Sequence, residues 1–391
     1  MLGWLLGIAA GLLPGVHSNT ISFLLLGLAA ANPGQPDKWA YAIVGMNVVQ
    51  VFVDWIPNTF LGMPDHEGYA HLMPAHRFLA KGKGVFAVRL GVLGALSGLP
   101  LALLAFPLFA AFLTKAADFV QAGIPVALVL VLASMVGGEE GWNKLRAALV
   151  IGLAGALGLL TLGGSAFTEP LFPAVTGLFG VPGLLYSLKA RNRVPPQQDS
   201  PEPLAPKNLL EGSVLGCLAA GLTALLPAIG PGEASFLLMK FARRMSPSLY
   251  LLLAGCINAC NLLFSFLFLY LLGKTRTGAA AALAQLQPLD ANWLLAFAGA
   301  SLVSAAFGAI AAVALAKAAA RELPRLNYAL LTKATLAFLA VVVGLAQGLP
   351  GLLVLGVATC IGLLPLAWGI RRAHGMAYLM VPTLAYYLGF A

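Results

Sequence analysis

Two clusters of small hydrogen-bonding side chains stand where an apolar chain should have none. In the first, Pro14-Gly15-Val16-His17-Ser18-Asn19-Thr20 splits a run that is otherwise apolar from Met1 to Ala31. Pro14 and Gly15 disfavour a continuous helix. Beyond them, a half-helix opening at Ser18, Asn19 and Thr20 would present free N–H groups with partial positive charge. With His17 beside them, these donors suit a carboxylate or a phosphate. The second cluster, Pro227-Ala228-Ile229-Gly230-Pro231-Gly232-Glu233-Ala234-Ser235, lies 213 residues further on, and in the same register Ser22-Phe23 falls on Ser235-Phe236. Gly230 and Gly232 allow close backbone approach, and Ser235 adds a donor. Interrupted apolar helices at matching places in two halves are a sequence pointer to a transporter binding site. The competing explanation is simple helix capping, for which Ser, Asn and Thr are favoured in any protein.

Carboxylates inside apolar segments are the next candidates, because an ionisable group in a span is costly and usually functional. Asn47, Gln50, Asp54 and Asn58 are spaced three, four and four apart and so share one helix face. Asn258 and Asn261 occupy the corresponding helix of the second half. Asp54 and Glu233 could titrate or coordinate a cation, while the asparagines and Gln50 could equally be interhelical glue. His66, His71 and His76 match no zinc spacing, so no metal site and no cofactor beyond a coupling Na+ or H+ is expected. An intramembrane hydrolase would need a paired nucleophile and base, and none is apparent, so the chain is not read as an enzyme.

The elements that must hold these residues are membrane helices. The chain has 391 residues, of which 60% are hydrophobic and only 9% charged, which excludes an ordinary soluble domain. Runs of eighteen or more apolar residues predict an all-α polytopic membrane protein. The first run lacks a basic segment before it and is broken by its polar cluster, so it reads as part of the fold, not as a signal peptide. A net charge of +9 arises from scattered lysines and arginines, which fits the positive-inside bias better than nucleic-acid binding. Cys217, Cys256, Cys260 and Cys360 all lie in apolar segments and read as core packing.

Residues 1–188 predict one repeat: a broken hairpin (2–31) and helices near 40–60, 85–114, 123–137, 144–162 and 171–188. Residues 189–208 form a Pro-rich polar connector expected to be flexible and cytoplasmic. Residues 209–391 predict a second repeat: a broken hairpin (209–242) and helices near 248–272, 290–316, 328–346, 352–369 and 375–390. Val150-Ile151-Gly152-Leu153-Ala154 also matches Val354-Leu355-Gly356-Val357-Ala358, which supports duplication. Five spans after each re-entrant hairpin would invert the second repeat. With the connector inside, sixteen basic residues between Arg77 and Arg372 fall inside and only Lys38, Lys115, Lys274 and Arg276 outside, so both termini are expected outside.

Several motifs, taken in order, resemble one family. Gly11-Leu12-Leu13-Pro14-Gly15, Ile56-Pro57 through Gly62-Met63-Pro64, and Leu72-Met73-Pro74-Ala75-His76-Arg77 are similar to the large membrane subunit of tripartite tricarboxylate transporters, the TctA family. Gly177-Leu178-Phe179-Gly180-Val181-Pro182-Gly183 and Arg371-Arg372 resemble the closes of that family's two halves. The resemblance implies a secondary carrier of carboxylates working with a small membrane subunit and a periplasmic binding protein. A homodimer is the other assembly in view. The resulting expectation is an inner-membrane symporter gripping a small organic anion between two hairpin tips, with alternating access. The alternative is a flippase of a lipid-linked phosphate such as a polyprenyl phosphate.

Overall fold

The computed structural model describes residues 1–13, 18–32, 34–60, 72–163, 170–189, 195–198, 204–225, 245–322 and 328–390. Every regular element among them is helical. The first half contains α1 (Leu2–Leu12), α2 (Ser18–Ala31), α3 (Pro36–Val53), α4 (Trp55–Phe60), α5 (Leu72–Ala80), α6 (Gly84–Gly137), α7 (Asn143–Leu162), α8 (Leu171–Val175) and α9 (Val181–Lys189), with a π-helical turn at Thr176–Gly180. The second contains α10 (Pro206–Leu225), α11 (Pro247–Leu272), α12 (Gly278–Leu286), α13 (Ala291–Glu322), α14 (Tyr328–Trp368), a 3-10 turn at Arg372–Met376, and α15 (Ala377–Tyr387). Among the described residues, six helices are long and apolar enough to cross a membrane: Pro36–Phe60, Gly84–Lys115, Asn143–Leu162, Pro247–Leu272, Ala291–Glu322 and Ala329–Trp368. The chain is a multi-pass helical membrane protein.

Glycines set the packing. Gly3, Gly7 and Gly11 recur every four residues along one stripe of α1. A Cβ on them would meet Ala42, then Met46 and Val49, then Val53. The numbers rise together, so α1 and α3 run parallel. Gly212 and Gly216 of α10 meet Leu249 and Leu252, then Leu253 and Cys256, so α10 and α11 are parallel too. Between α1 and α3 the chain must therefore double back. The return is α2. At 11 and 14 residues, α1 and α2 are each shorter than the roughly 20 residues a crossing needs. By contrast α10 has 20 residues, the length of a full crossing.

The halves exchange partners. Gly94 and Gly98 of α6 press against Leu252 and Cys256 of α11, and the Cys260 Sγ–H donates to the Gly98 carbonyl at 3.2 Å. In return Gly45 of α3 meets Ser304 of α13, and Gly308 of α13 meets Val49 and Phe52. The later helices repeat the exchange. Gly155 and Gly158 of α7 face Val381 and Tyr378 of α15, while Gly177 beside α8 faces Leu355 and Ala358 of α14. Two apolar cores result. One joins α1–α5 and the first third of α6 to α10–α13. The other joins residues 124–135 of α6 to α7, α8, the second arm of α14 and α15.

Three expectations need correction. Helices expected at 85–114 and 123–137 form one continuous α6 of 54 residues. Lys115, Asp118 and Gln121 interrupt the apolar run, but the stretch holds no glycine or proline before Gly123, so nothing ends the helix. At 1.5 Å per residue it is about 80 Å long, over twice the apolar thickness of a bilayer. Pro100, Pro107 and Pro125 lie inside it, each removing one rung of its hydrogen-bond ladder. The connector is not wholly loose: the Gly84 N–H donates to the Gln197 Oε1 at 2.8 Å and the Gln198 N–H to the Gly82 carbonyl at 2.8 Å. Residues 195–198 thus close the N-terminus of α6. Finally, Cys360 is exposed, whereas Cys217, Cys256 and Cys260 are buried as core packing requires.

In α14, the helices expected at 328–346 and 352–369 are distinct arms. Gly348, at φ 62° and ψ −154°, folds them back on each other, bringing Gly344 against Leu352. Near the fold's other end, Glu139 Oε1 lies 3.0 Å from His374 Nε2 and 3.6 Å from Arg371 Nε, joining the two halves. The neighbouring Arg372 donates to the Phe179 carbonyl within the π turn. Burial pushes His374 below its ordinary value, against the opposing pull of its bond to Glu139. The folded protein therefore binds this proton less readily than the unfolded chain, and the resulting stability is present above pH ~6.5 and lost on acidification. Melting measured in detergent should fall from pH 7.5 to 5, and the fall should shrink in His374→Gln.

Candidate functional site

The first polar cluster opens α2. Pro14, Gly15 and His17 lie outside the described residues, while Ser18, Asn19 and Thr20 form the first turn of α2. The Asn19 side chain is engaged: its Oδ1 accepts from the Gly278 N–H at 2.9 Å. Gly278 is the first residue of α12, so Asn19 satisfies an N-terminal donor of a helix from the other half. Asn19 does act as a cap, then, of α12 in the other half. One turn on, the Ser22 hydroxyl donates to the Ser18 carbonyl and accepts from Asn47 Nδ2, both at 2.9 Å. Asn47 is thereby the tie between α2 and α3.

The rest of the polar face of α3 runs on through Asp54, whose backbone stays helical, into α4. Asn58 Nδ2 donates to Asp54 Oδ2 at 2.8 Å. Asp54 is partly buried, and Gln50 and Asn58 are buried. This carboxylate thus sits inside a span, with an amide donor aimed at it. On α11, Asn258 and Asn261 are partly buried. The Asn258 Oδ1 is buried with no partner among the described residues. Gly230, Gly232, Glu233 and Ser235, the second cluster, lie outside the described residues.

What the sequence reading passed over is the segment between α11 and α12. Gly273, at φ 64°, ends α11 in the left-handed conformation favoured by glycine. Thr277 then caps α12, its hydroxyl accepting from the Ala280 N–H at 3.2 Å, and lies 3.1 Å from the Ser265 hydroxyl. Between them, Arg276 Nη2 donates at 2.7 Å to the carbonyl of Thr223, in the last turn of α10. The guanidinium also lies 5.6 Å from the centre of the Phe268 ring. Burial lowers it to about 10, with the Tyr387 side chain acting in the opposite direction, so it stays charged at neutral pH. The described end of α10 and the start of α2 are therefore bound to one short segment, Arg276–Gly278. A signal was available: Gly273-Lys274-Thr275-Arg276-Thr277-Gly278 is a polar run between glycines directly after an apolar helix. It was read only for its charge. The alanine-rich α12, nine residues long, is too short to register as a span.

These features fit the comparisons with known proteins. Over 99% of its length the chain is 27% identical to an uncharacterised protein of Methanocaldococcus jannaschii, of which it covers 98%. No solved structure matches it. The profile of the tripartite tricarboxylate transporter TctA family matches residues 1–377, and the chain belongs to that family of membrane transporters.

Proposed function

We propose that this protein carries a small organic anion, a carboxylate, across the inner membrane by alternating access, driven by a Na+ or H+ gradient. The observation that carries the reading is the convergence just described: Thr223 at the end of α10 and Asn19 at the start of α2 both bond to Arg276–Gly278. The N-terminus of α2 with a cation nearby suits a carboxylate. Two apolar cores, each assembled from both halves, are the bodies that move against one another. The exchange of helix partners between halves supports inverted repeats with re-entrant hairpins. The docking of residues 195–198 on Gly82–Gly84 puts the connector beside Lys81 and Lys83, which supports a cytoplasmic connector and outward termini. Membership of a tripartite family supports a small membrane subunit and a periplasmic binding protein as partners.

The test is a thermal-shift screen of purified protein with citrate, succinate, inorganic phosphate and a polyprenyl phosphate, with and without sodium and at two pH values. Stabilisation by a carboxylate that deepens with sodium or with proton concentration is the expected result. Stabilisation by polyprenyl phosphate alone would replace the carrier with a lipid-phosphate flippase.

A further inference from the structure

We infer that the start of α7 and the end of α14 form a binding site for the headgroup of an anionic phospholipid. The site is independent of where the carried anion binds. α7 is long and apolar enough to cross the bilayer, so its first turn lies at one membrane surface. One face of it is buried, with Gly155 and Gly158 against α15. The opposite face is open. Trp142, Leu145, Leu149 and Leu153 are spaced three, four and four apart, share that face and are all exposed. A lipid's acyl chain fits such a stripe, and the membrane interface favours a tryptophan at its end.

The charge at the head of the stripe sets this surface apart from an ordinary lipid-facing helix. Lys144 and Arg146 are exposed in the first turn, with Arg146 on the same face as Trp142 and Leu149. The Arg146 guanidinium lies 5.9 Å from the centre of the Trp368 ring at the end of α14, and its Nη1 donates to Asn143 Oδ1 at 3.0 Å. Among the described residues neither cation has a carboxylate partner. Of the two carboxylates just before them, Glu139 is held by His374 and Arg371, and Glu140 is exposed. Arg372 adds a further positive charge where α7 packs on the 3-10 turn. Its Nη2 donates to the Phe179 carbonyl, and its Nε is buried without a partner among the described residues. The local balance is therefore positive, at the level where a lipid phosphate lies. A guanidinium stacked on an aromatic ring presents its planar fork to a phosphate. The backbone of the first turn is already occupied, the Asn143 N–H by the Glu140 carbonyl and the Arg146 N–H by that of Trp142, so the cations carry the site. A phosphate held there would bridge α7 of the first half to α14 of the second, within one apolar core.

The experiment uses the full-length protein in a neutral detergent, with phosphatidylglycerol and phosphatidylcholine as probes. Phosphatidylglycerol should raise the melting temperature by about 5 °C more than phosphatidylcholine does. Lys144→Gln combined with Arg146→Gln should weaken phosphatidylglycerol binding by about thirtyfold, since each basic residue near a membrane surface contributes about fivefold. Lys38→Gln combined with Lys333→Gln makes the same change of charge at the starts of two other spans, and should leave binding nearly unchanged. Trp142 gives a readout that does not depend on stability. Phosphatidylglycerol brominated in its acyl chains should quench the protein's fluorescence more than brominated phosphatidylcholine, and the difference should vanish in Trp142→Phe and in the Lys144–Arg146 variant. Equal quenching by the two lipids, or equal loss of binding in the two double variants, would overturn the site. Stabilisation reproduced by inorganic phosphate would assign the cations to a free anion, and would overturn it as well.

Discussion

Asn19→Asp is expected to leave the melting temperature within a few degrees of wild type and to lower citrate affinity by about a hundredfold or more. The substitution keeps an oxygen where Oδ1 accepts from the Gly278 N–H, so the tie to α12 survives. It also adds a negative charge at the start of α2, a position favourable to an acid in an empty site. A bound carboxylate about 5 Å away would then be repelled by roughly 3 kcal/mol at an effective dielectric constant of about 20. Asn19→Ala makes the complementary case. It strips the acceptor from a buried N–H and should cost about 1–3 kcal/mol of stability. If Asn19 only pinned α12, the alanine variant would be the damaged one and the aspartate variant would bind normally. Kd and melting temperature on both proteins separate the two roles, and normal citrate binding by Asn19→Asp would place the anion elsewhere.

The second large effect concerns energy coupling. Asp54→Asn in reconstituted vesicles is expected to abolish uptake driven by a Na+ or H+ gradient while changing equilibrium citrate binding less than threefold. Asp54 is a carboxylate between α3 and α4 inside one span, with Asn58 donating at 2.8 Å. Such a group is retained in a span at considerable cost, and binding a cation or proton offsets that cost. The amide has nearly the same shape but can neither hold the charge nor release a proton. Glu233→Gln is the paired experiment at the second tip. Gradient-dependent uptake preserved in both amides would remove carboxylate coupling, and leave backbone carbonyls as the ion's ligands.

Much of this site was legible in the sequence because breaking an apolar run is a strong local signal. Pro14-Gly15 and the four polar residues near it mark the interruption before α2, while the cluster at Pro227 lies outside the described residues. The glue reading of Asn47 was also available, since an amide in a span needs a partner. The junction at Arg276–Gly278 was not legible. A cation just past a span looks like any loop charge until the fold brings Thr223 to Arg276 and Asn19 to Gly278. The length of α6 escaped for a different reason: a polar patch stops an apolar run without stopping a helix. Nor could hydropathy show which half supplies each helix's partner. Gly94 and Gly158 mark close contacts, but a glycine does not name the surface that fills its notch.

The exchange of helix partners also bears on how the protein is made. When the ribosome has released residues 1–189, α6 has Gly94 and Gly98 open toward α11, and α7 has Gly155 and Gly158 open toward α15, neither yet synthesised. Half of the first core and half of the second are already in the bilayer, each with its notches facing lipid or the insertion machinery. The nascent chain must be held as unpaired helices until α10–α15 emerge and slot between them. The interleaving ends the independence of the two parts, because neither half retains a complete core of its own.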